Sequence, residues 1–160
     1  MKKYLVLALC LLILTVGHAQ NYTEYFANKT LRVDYIFTGD ASCQNVCLDE
    51  LSVLPSWAGR HQHLAELPLQ GNGQIIMKDL ESGKTVYTTS FSSLFQEWLE
   101  TDEAKVVSKG FENTFLLPYP LRPVEIEITL LSPRKEVRTC LKHTVRPDDV
   151  LIHQKGTAHI

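Results

Sequence analysis

Residues 85–120 read TVYTTSFSSLFQEWLETDEAKVVSKGFENTFLLPYP, and the periodicity of this stretch changes twice. Val86, Thr88 and Ser90 alternate with Tyr87, Thr89 and Phe91, the two-residue period of a strand. Phe91, Leu94, Phe95, Trp98 and Leu99 then fall on one face of a helix, at i, i+3, i+4, i+7 and i+8. Phe111 to Leu117 returns to a strand. A strand that runs into a short aromatic helix and comes back as a strand makes a corner of a core. Phe91, Leu94, Phe95 and Trp98 are therefore expected inside and Glu97 outside. Thr101, followed by Asp102 and Glu103, has the form of an N-cap with acidic residues in the first turn of a second short helix.

Working outward, Gln74–Asp79 and Lys84–Phe91 flank Leu80-Glu81-Ser82-Gly83 and make a hairpin. Gly71-Asn72-Gly73 reads as a turn whose glycines are free to take positive φ. Leu31, Val33, Tyr35 and Phe37 alternate with Arg32, Asp34, Ile36 and Thr38 as a half-buried strand that Gly39-Asp40 ends. The polar and aromatic stretch 21–29 is expected along the surface of the first sheet. Val46, Leu48 and Leu51 suggest a strand that pairs weakly. Pro55 to Arg60 is a loop, and Leu64, Leu67 and Leu69, with Pro68 among them, form an extended segment at a sheet edge. Downstream, Pro118, Pro120 and Pro123 bracket a rigid crossing. Val124, Ile126, Ile128 and Leu130 alternate with Glu125, Glu127 and Thr129, and Val137 to Val145 makes the matching strand. About eight short strands with one or two short helices give an all-β antiparallel β-sandwich, jelly-roll or immunoglobulin-like.

The ends of the chain differ from this middle. Lys2 and Lys3, the apolar run Tyr4 to Val16 and the small residues of Gly17-His18-Ala19 have the form of a secretory signal peptide over 1–19, cleaved between Ala19 and Gln20. The run is too short for a stable helix across a bilayer of ~30 Å, and no second apolar run is long enough to be a membrane span. Residues 20–152 are expected to be one sandwich domain. Residues 153–160 have no core pattern and read as a linker cut short. Sixteen Lys and Arg against eighteen Asp and Glu leave a net charge of −2 with no basic stripe, which argues against nucleic acid as a partner. Cleavage leaves Cys43, Cys47 and Cys140, an odd number, read as free or incidental. An extended chain from Cys43 to Cys47 spans about 13 Å, too far for a bridge without a turn.

No catalytic residue and no metal ligand is expected in this chain. No His-Glu pair occurs, so the HExxH zinc motif is absent. His61 and His63 read as a solvated loop pair. Ser90, Ser92 and Ser93 lack a nucleophile elbow, and Cys140 and His143 fall on opposite faces of a strand. Glu97, Glu100, Asp102 and Glu103 form an acidic exposed face; Glu125 and Glu127 are the wet side of a strand. One binding arrangement remains, an aromatic platform drawn from Trp57, Trp98, Tyr119 and Tyr25. Trp98 falls to the core by its helical face. Trp57, in a loop beside Arg60, is either a core ring or, with Arg60, part of an interaction surface.

The blocks LRVDYIFTGD (31–40), LPSWAGR (54–60), LPLQGNGQI (67–75), SFSSLFQEWLETDEAK (90–105) and FENTFLLPYP (111–120) resemble the N-terminal domain of the bacterial IgA-peptidase-type zinc metallopeptidases. The resemblance runs in order from about residue 25 to about 152. It implies a β-sandwich that precedes a catalytic domain, with zinc held only in that catalytic domain and no cofactor in this chain. The implied protein is secreted, or held in the periplasm or cell envelope of a bacterium. Its accessory domain supports or orients the C-terminal peptidase domain of the same polypeptide. The other expectation is an independent secreted module that binds a host protein or glycan. A reading frame that continues into HExxH favours the first; a stop after Ile160 favours the second.

Overall fold

The alternation that begins at Leu31 sets the first layer. Leu31, Val33, Tyr35 and Phe37 are fully enclosed, while Arg32, Asp34 and Ile36 stay half-exposed on the other side. They belong to β1 (Phe26–Gly39) of a computed structural model that describes residues 21–67 and 70–155. The expected leader with its Ala19–Gln20 junction, Pro68, Leu69 and residues 156–160 lie outside the described residues.

β1 pairs antiparallel with β2 (Gln44–Leu54) and β5 (Lys109–Pro120), and β8 (Ile152–Gln154) joins β2 in parallel. The sheet order is β5-β1-β2-β8. The second sheet runs β4-β3-β6-β7, antiparallel throughout, from β3 (Gly73–Asp79), β4 (Thr85–Phe91), β6 (Val124–Leu131) and β7 (Val137–Val145). Its Ile75, Met77, Val86, Ile126, Ile128 and Leu130 are all fully enclosed and form the layer opposite the β1 row. The fold is the expected β-sandwich. β8 takes in His153 and Gln154, past the Ile152 at which the sandwich was expected to end.

Several local expectations change. β2 is a full partner of β1 from Thr30↔Leu54 to Gly39↔Gln44, not a weak one. The register shifts opposite Asp34 and Tyr35, leaving Asp49 unpaired. Such a bulge inverts the alternation, so Val46 faces inward before it and Val53 after it, and no single period runs through the strand. The stretch 21–29 does lie at the surface, with Asn21, Thr23, Glu24, Asn28 and Lys29 exposed, but its aromatic rings turn into the core. Asn21 caps a helical turn, α1 (Tyr22–Tyr25), and Tyr22, Tyr25 and Phe26 are buried. Pro118 and Pro120 are strand residues, not part of a crossing. β5 is a sheet edge, and β1 bulges between Ala27 and Thr30 against Tyr119 and Pro118; edges and bulges are where strands accept proline. Gly71 and Gly73 do not take positive φ. They are needed for closeness, because a Cβ would lie 2.1 Å from the Phe91 carbonyl oxygen at Gly71 and 2.2 Å from the Phe91 ring at Gly73. Gly83, at φ +69°, is the glycine that the hairpin turn requires. Leu64 is fully enclosed within a turn rather than on an extended edge, and Leu67 is exposed.

The corner forms as α2 (Leu94–Trp98), with the Ser93 side chain accepting from the Gln96 N–H. Its inward row differs from the expected one. Phe95 and Leu99 are buried and Trp98 is half-buried, but Leu94 is 73% exposed. Gln96 turns inward instead. Its amide donates to the Leu131 carbonyl at 2.9 Å and to the Asn72 carbonyl, closing the ends of β6 and of the strand lead-in to β3. The Asn72 carbonyl also accepts from the Leu131 N–H at 2.8 Å, so the Gln96 amide adds a side-chain clamp to that junction, and its inward position goes with a short helix rotated away from its hydrophobic pattern. Glu97 is exposed, as expected. The second helix is a single 3-10 turn, Glu103–Lys105, with the Thr101 hydroxyl accepting from the Ala104 N–H at 3.4 Å.

Candidate functional site

Trp57 and Arg60 come to the same place for different reasons. The Trp57 indole is 8% exposed and stands edge-on to Tyr87, centroids 6.1 Å apart. Its Nε1 donates to the Arg60 carbonyl at 3.1 Å, and its backbone N–H donates to the Asn28 side chain at 3.3 Å. Gly59 lets the ring lie against the backbone, since a Cβ there would be 2.1 Å from the indole. The Arg60 guanidinium sits 5.1 Å from the Tyr87 ring and donates to the Leu64 carbonyl at 3.0 Å and to the Thr88 carbonyl. Thr88 in turn donates its N–H to the Leu64 carbonyl at 2.8 Å. The loop thus covers part of the outer edge of β4, which an exposed strand otherwise offers to any passing chain. The Arg60 guanidinium is spent on the loop, and Trp57, though buried, lines a groove on an outer surface.

That surface is a groove of about 680 Å³ whose lining includes Leu54, Pro55, Trp57, Ala58, Leu116 and Lys155. Leu116, on β5, is 54% exposed. Its neighbours on the same outer face are ionic. Arg32 pairs with Asp34 at 3.0 Å, and Lys155 pairs with Glu50 at 2.9 Å. Burial pushes the Asp34 carboxyl up, but hydrogen bonds from Thr114 and Arg32 and the charges of Arg32 and Lys155 outweigh it and hold it below the usual carboxylate range.

A smaller cleft of about 410 Å³ lies at the β3–β4 hairpin, between Asp79, Leu80, Glu81, Arg122 and Pro123. Asp79 is 2% exposed. Its Oδ2 accepts from the Ser82 N–H at 2.9 Å and from the Ser82 hydroxyl at 2.6 Å, while Oδ1 has no hydrogen-bond partner. The Ser82 hydroxyl holds the carboxyl below the ordinary range against its burial. Arg122 donates to the Glu24 carbonyl at 3.2 Å and lies 5.1 Å from the Tyr25 ring. This is the chemistry of a tight turn.

The other candidates are scattered. The His61 ring packs on Tyr22 at 4.3 Å, and His63 Nδ1 meets Glu66 at 2.9 Å. Among the described residues no three of His, Cys, Asp and Glu group as metal ligands. Cys43, Cys47 and Cys140 are free and exposed. Glu100 pairs with Arg138, Asp102 with Lys105, and Glu103 with Lys109. Glu127 is held by Lys142 at 2.8 Å and Lys78 at 3.3 Å. Trp98 packs on Phe95 and Phe111, while Tyr119 donates to the Pro147 carbonyl and Tyr25 packs on Phe26. The four aromatics make no common platform. Sequence reasoning missed Gln96, Asp79 and His143. His143 Nε2 lies 2.6 Å from the Tyr35 hydroxyl between the two sheets, its Nδ1 is buried without a partner, and burial lowers its pKa to about 4. An inward period-2 position on β7 was the one available signal for it.

Fold and surface together define a β-sandwich module with an apolar groove on an outer sheet face. The family model for the N-terminus of peptidase M64, the IgA-peptidase-type family, matches residues 21–142, and the chain belongs to that family. No curated protein matches the chain.

Proposed function

We propose that this chain is the non-catalytic accessory domain of a secreted bacterial zinc metallopeptidase and that it supports and orients the peptidase domain. The observation that carries the reading is the family match over residues 21–142 to a peptidase N-terminus. On this reading zinc belongs to the peptidase domain, and the mature protein begins at Gln20 outside the cytoplasm. The test compares three purified proteins, with zinc added, against casein and immunoglobulin: the 160-residue chain, the peptidase domain alone, and the two joined. The expected result is no cleavage by the 160-residue chain, and a loss of activity or of thermal stability when the peptidase domain stands alone. Chelator-sensitive cleavage by the 160-residue chain, or a peptidase domain indifferent to its removal, overturns the reading.

A further inference from the structure

We propose that the groove beside Trp57 is the seat on which the peptidase domain docks; this rests on the reading that such a domain shares the polypeptide. Three observations meet there. The first is chemical contrast. Leu116 is 54% exposed, yet its cross-strand neighbour Arg32 and the adjacent Asp34 and Thr114 are joined by hydrogen bonds. An apolar concavity bordered by ion pairs has the anatomy of an interface core within a polar rim.

The second is continuity of the chain. Lys155, the residue that follows β8, itself lines the groove, and its ammonium is fixed to Glu50 at 2.9 Å. Whatever is joined behind Lys155 therefore starts at the lip of the groove. A tether raises the effective concentration of its cargo, to about the millimolar range when it is short, so a modest apolar seat suffices to hold a tethered domain where it would not hold a free partner. The third is rigidity. The Trp57 ring is held from three sides, by Gly59, by the Arg60 carbonyl and by Tyr87, and a preformed seat loses little freedom on being filled. The occupant is a cluster of apolar side chains on the peptidase domain. A second copy of this chain, or a foreign protein, has the same surface available but not the tether.

The test is labelling at one position. With Cys10, Cys43, Cys47 and Cys140 changed to Ser, Leu116→Cys is reacted with a maleimide in the 160-residue chain and in the polypeptide joined to the peptidase domain. Val137→Cys, 65% exposed on the other sheet, is the control. Joining is expected to slow labelling at 116 at least tenfold and to leave 137 unchanged. Hydrogen exchange of the unsubstituted proteins over residues 54–59 and 114–117 gives the same comparison without any substitution. Protection elsewhere but not at 116 overturns the docking site and leaves the accessory reading standing. Equal rates everywhere mean that the domains do not pack, and both fall. Labelling at 116 that slows as the 160-residue chain is concentrated assigns the groove to a second copy and overturns the proposal.

Discussion

The two ends of β1 are closed in opposite ways. At the Phe37 end the plug is almost all phenylalanine: Phe37 lies 6.0 Å from Phe91 and 6.1 Å from Phe95, Phe91 lies 4.5 Å from Phe115, and Phe95 lies 5.4 Å from Phe111. At the Phe26 end the rings carry polar atoms and meet cations. Tyr22 donates to the Ala27 carbonyl at 2.8 Å, Trp57 to Arg60, and Arg60 lies over Tyr87 while Lys84 and Arg122 lie over Tyr25. The first end is held mainly by dispersion and apolar burial, which fall off smoothly as atoms are removed, with directed bonds at its margin, where Gln96 reaches the Leu131 carbonyl and the Trp98 indole donates to Glu103. The second depends on directed bonds that fail when one partner goes.

The largest effect expected belongs to the dry end. Phe95→Ala removes a fully enclosed ring and should cost about 3–5 kcal/mol of stability in urea unfolding, much of the ~5–15 kcal/mol that a domain has. A midpoint close to wild type would mean that the Phe37 end is not a packed plug. At the polar end Arg60→Met keeps the apolar stem and removes the donors to Leu64 and Thr88, so about 2–3 kcal/mol should be lost. Amide exchange at Thr88 should rise with it, because the loop no longer covers the β4 edge. Arg60→Lys should not restore the loss, since one ammonium does not reproduce a planar fork. Full rescue by Lys would show that charge alone matters there.

What the sequence disclosed divides along the same line. The rows Leu31 to Phe37 of β1 and Val124 to Leu130 of β6 were legible because one apolar period runs through each, and the β3–β4 hairpin because Gly83 marks its turn. β2 blurred because one unpaired residue, Asp49, inverts its alternation in mid-strand. Arg60 and Gln96 were not legible at all. Each is placed by backbone carbonyls 28 and 35 residues away along the chain, and no local pattern carries that information. The groove is of the same kind, since Trp57, Leu116 and Lys155 meet only once β5, β1, β2 and β8 have paired into the first sheet.

Between the sheets His143 gives the fold a pH dependence. Burial between the sheets disfavours the charged form of the His143 ring, which is why its pKa falls to about 4 from 6.5. A lowered histidine pKa means that the unfolded chain binds more protons than the folded one between those values. Stability is therefore fully present above about pH 6.5 and is lost as pH falls toward 4, by roughly 2 kcal/mol once the ring's contact with water is discounted. Below that range the loss passes to carboxylates held low in the fold, Asp79 and Glu127 among them. His143→Gln keeps a hydrogen-bonding group facing the Tyr35 hydroxyl and does not titrate, so its stability should be flat between pH 6.5 and 4.5. An unchanged slope in that variant would assign the dependence to another group.

The smallest expected effect tests the rotation of α2. The hydrophobic pattern alone treats Leu94 and Leu99 as equals, whereas the fold exposes 73% of Leu94 and 4% of Leu99. The difference goes with Gln96, whose amide reaches the Leu131 and Asn72 carbonyls from the face nearly opposite Leu94. Leu94→Ala should change stability by no more than about 0.5 kcal/mol, while Leu99→Ala should cost about 2–4 kcal/mol. Gln96→Leu removes the reason for the rotation: Leu94 is then free to turn inward, and Leu94→Ala made in that background should become distinctly more costly than in the wild type. The double-mutant cycle reads this coupling directly. Strict additivity of the two substitutions would mean that Phe95 and Leu99 set the rotation by packing alone, and that Gln96 merely fills the space they leave.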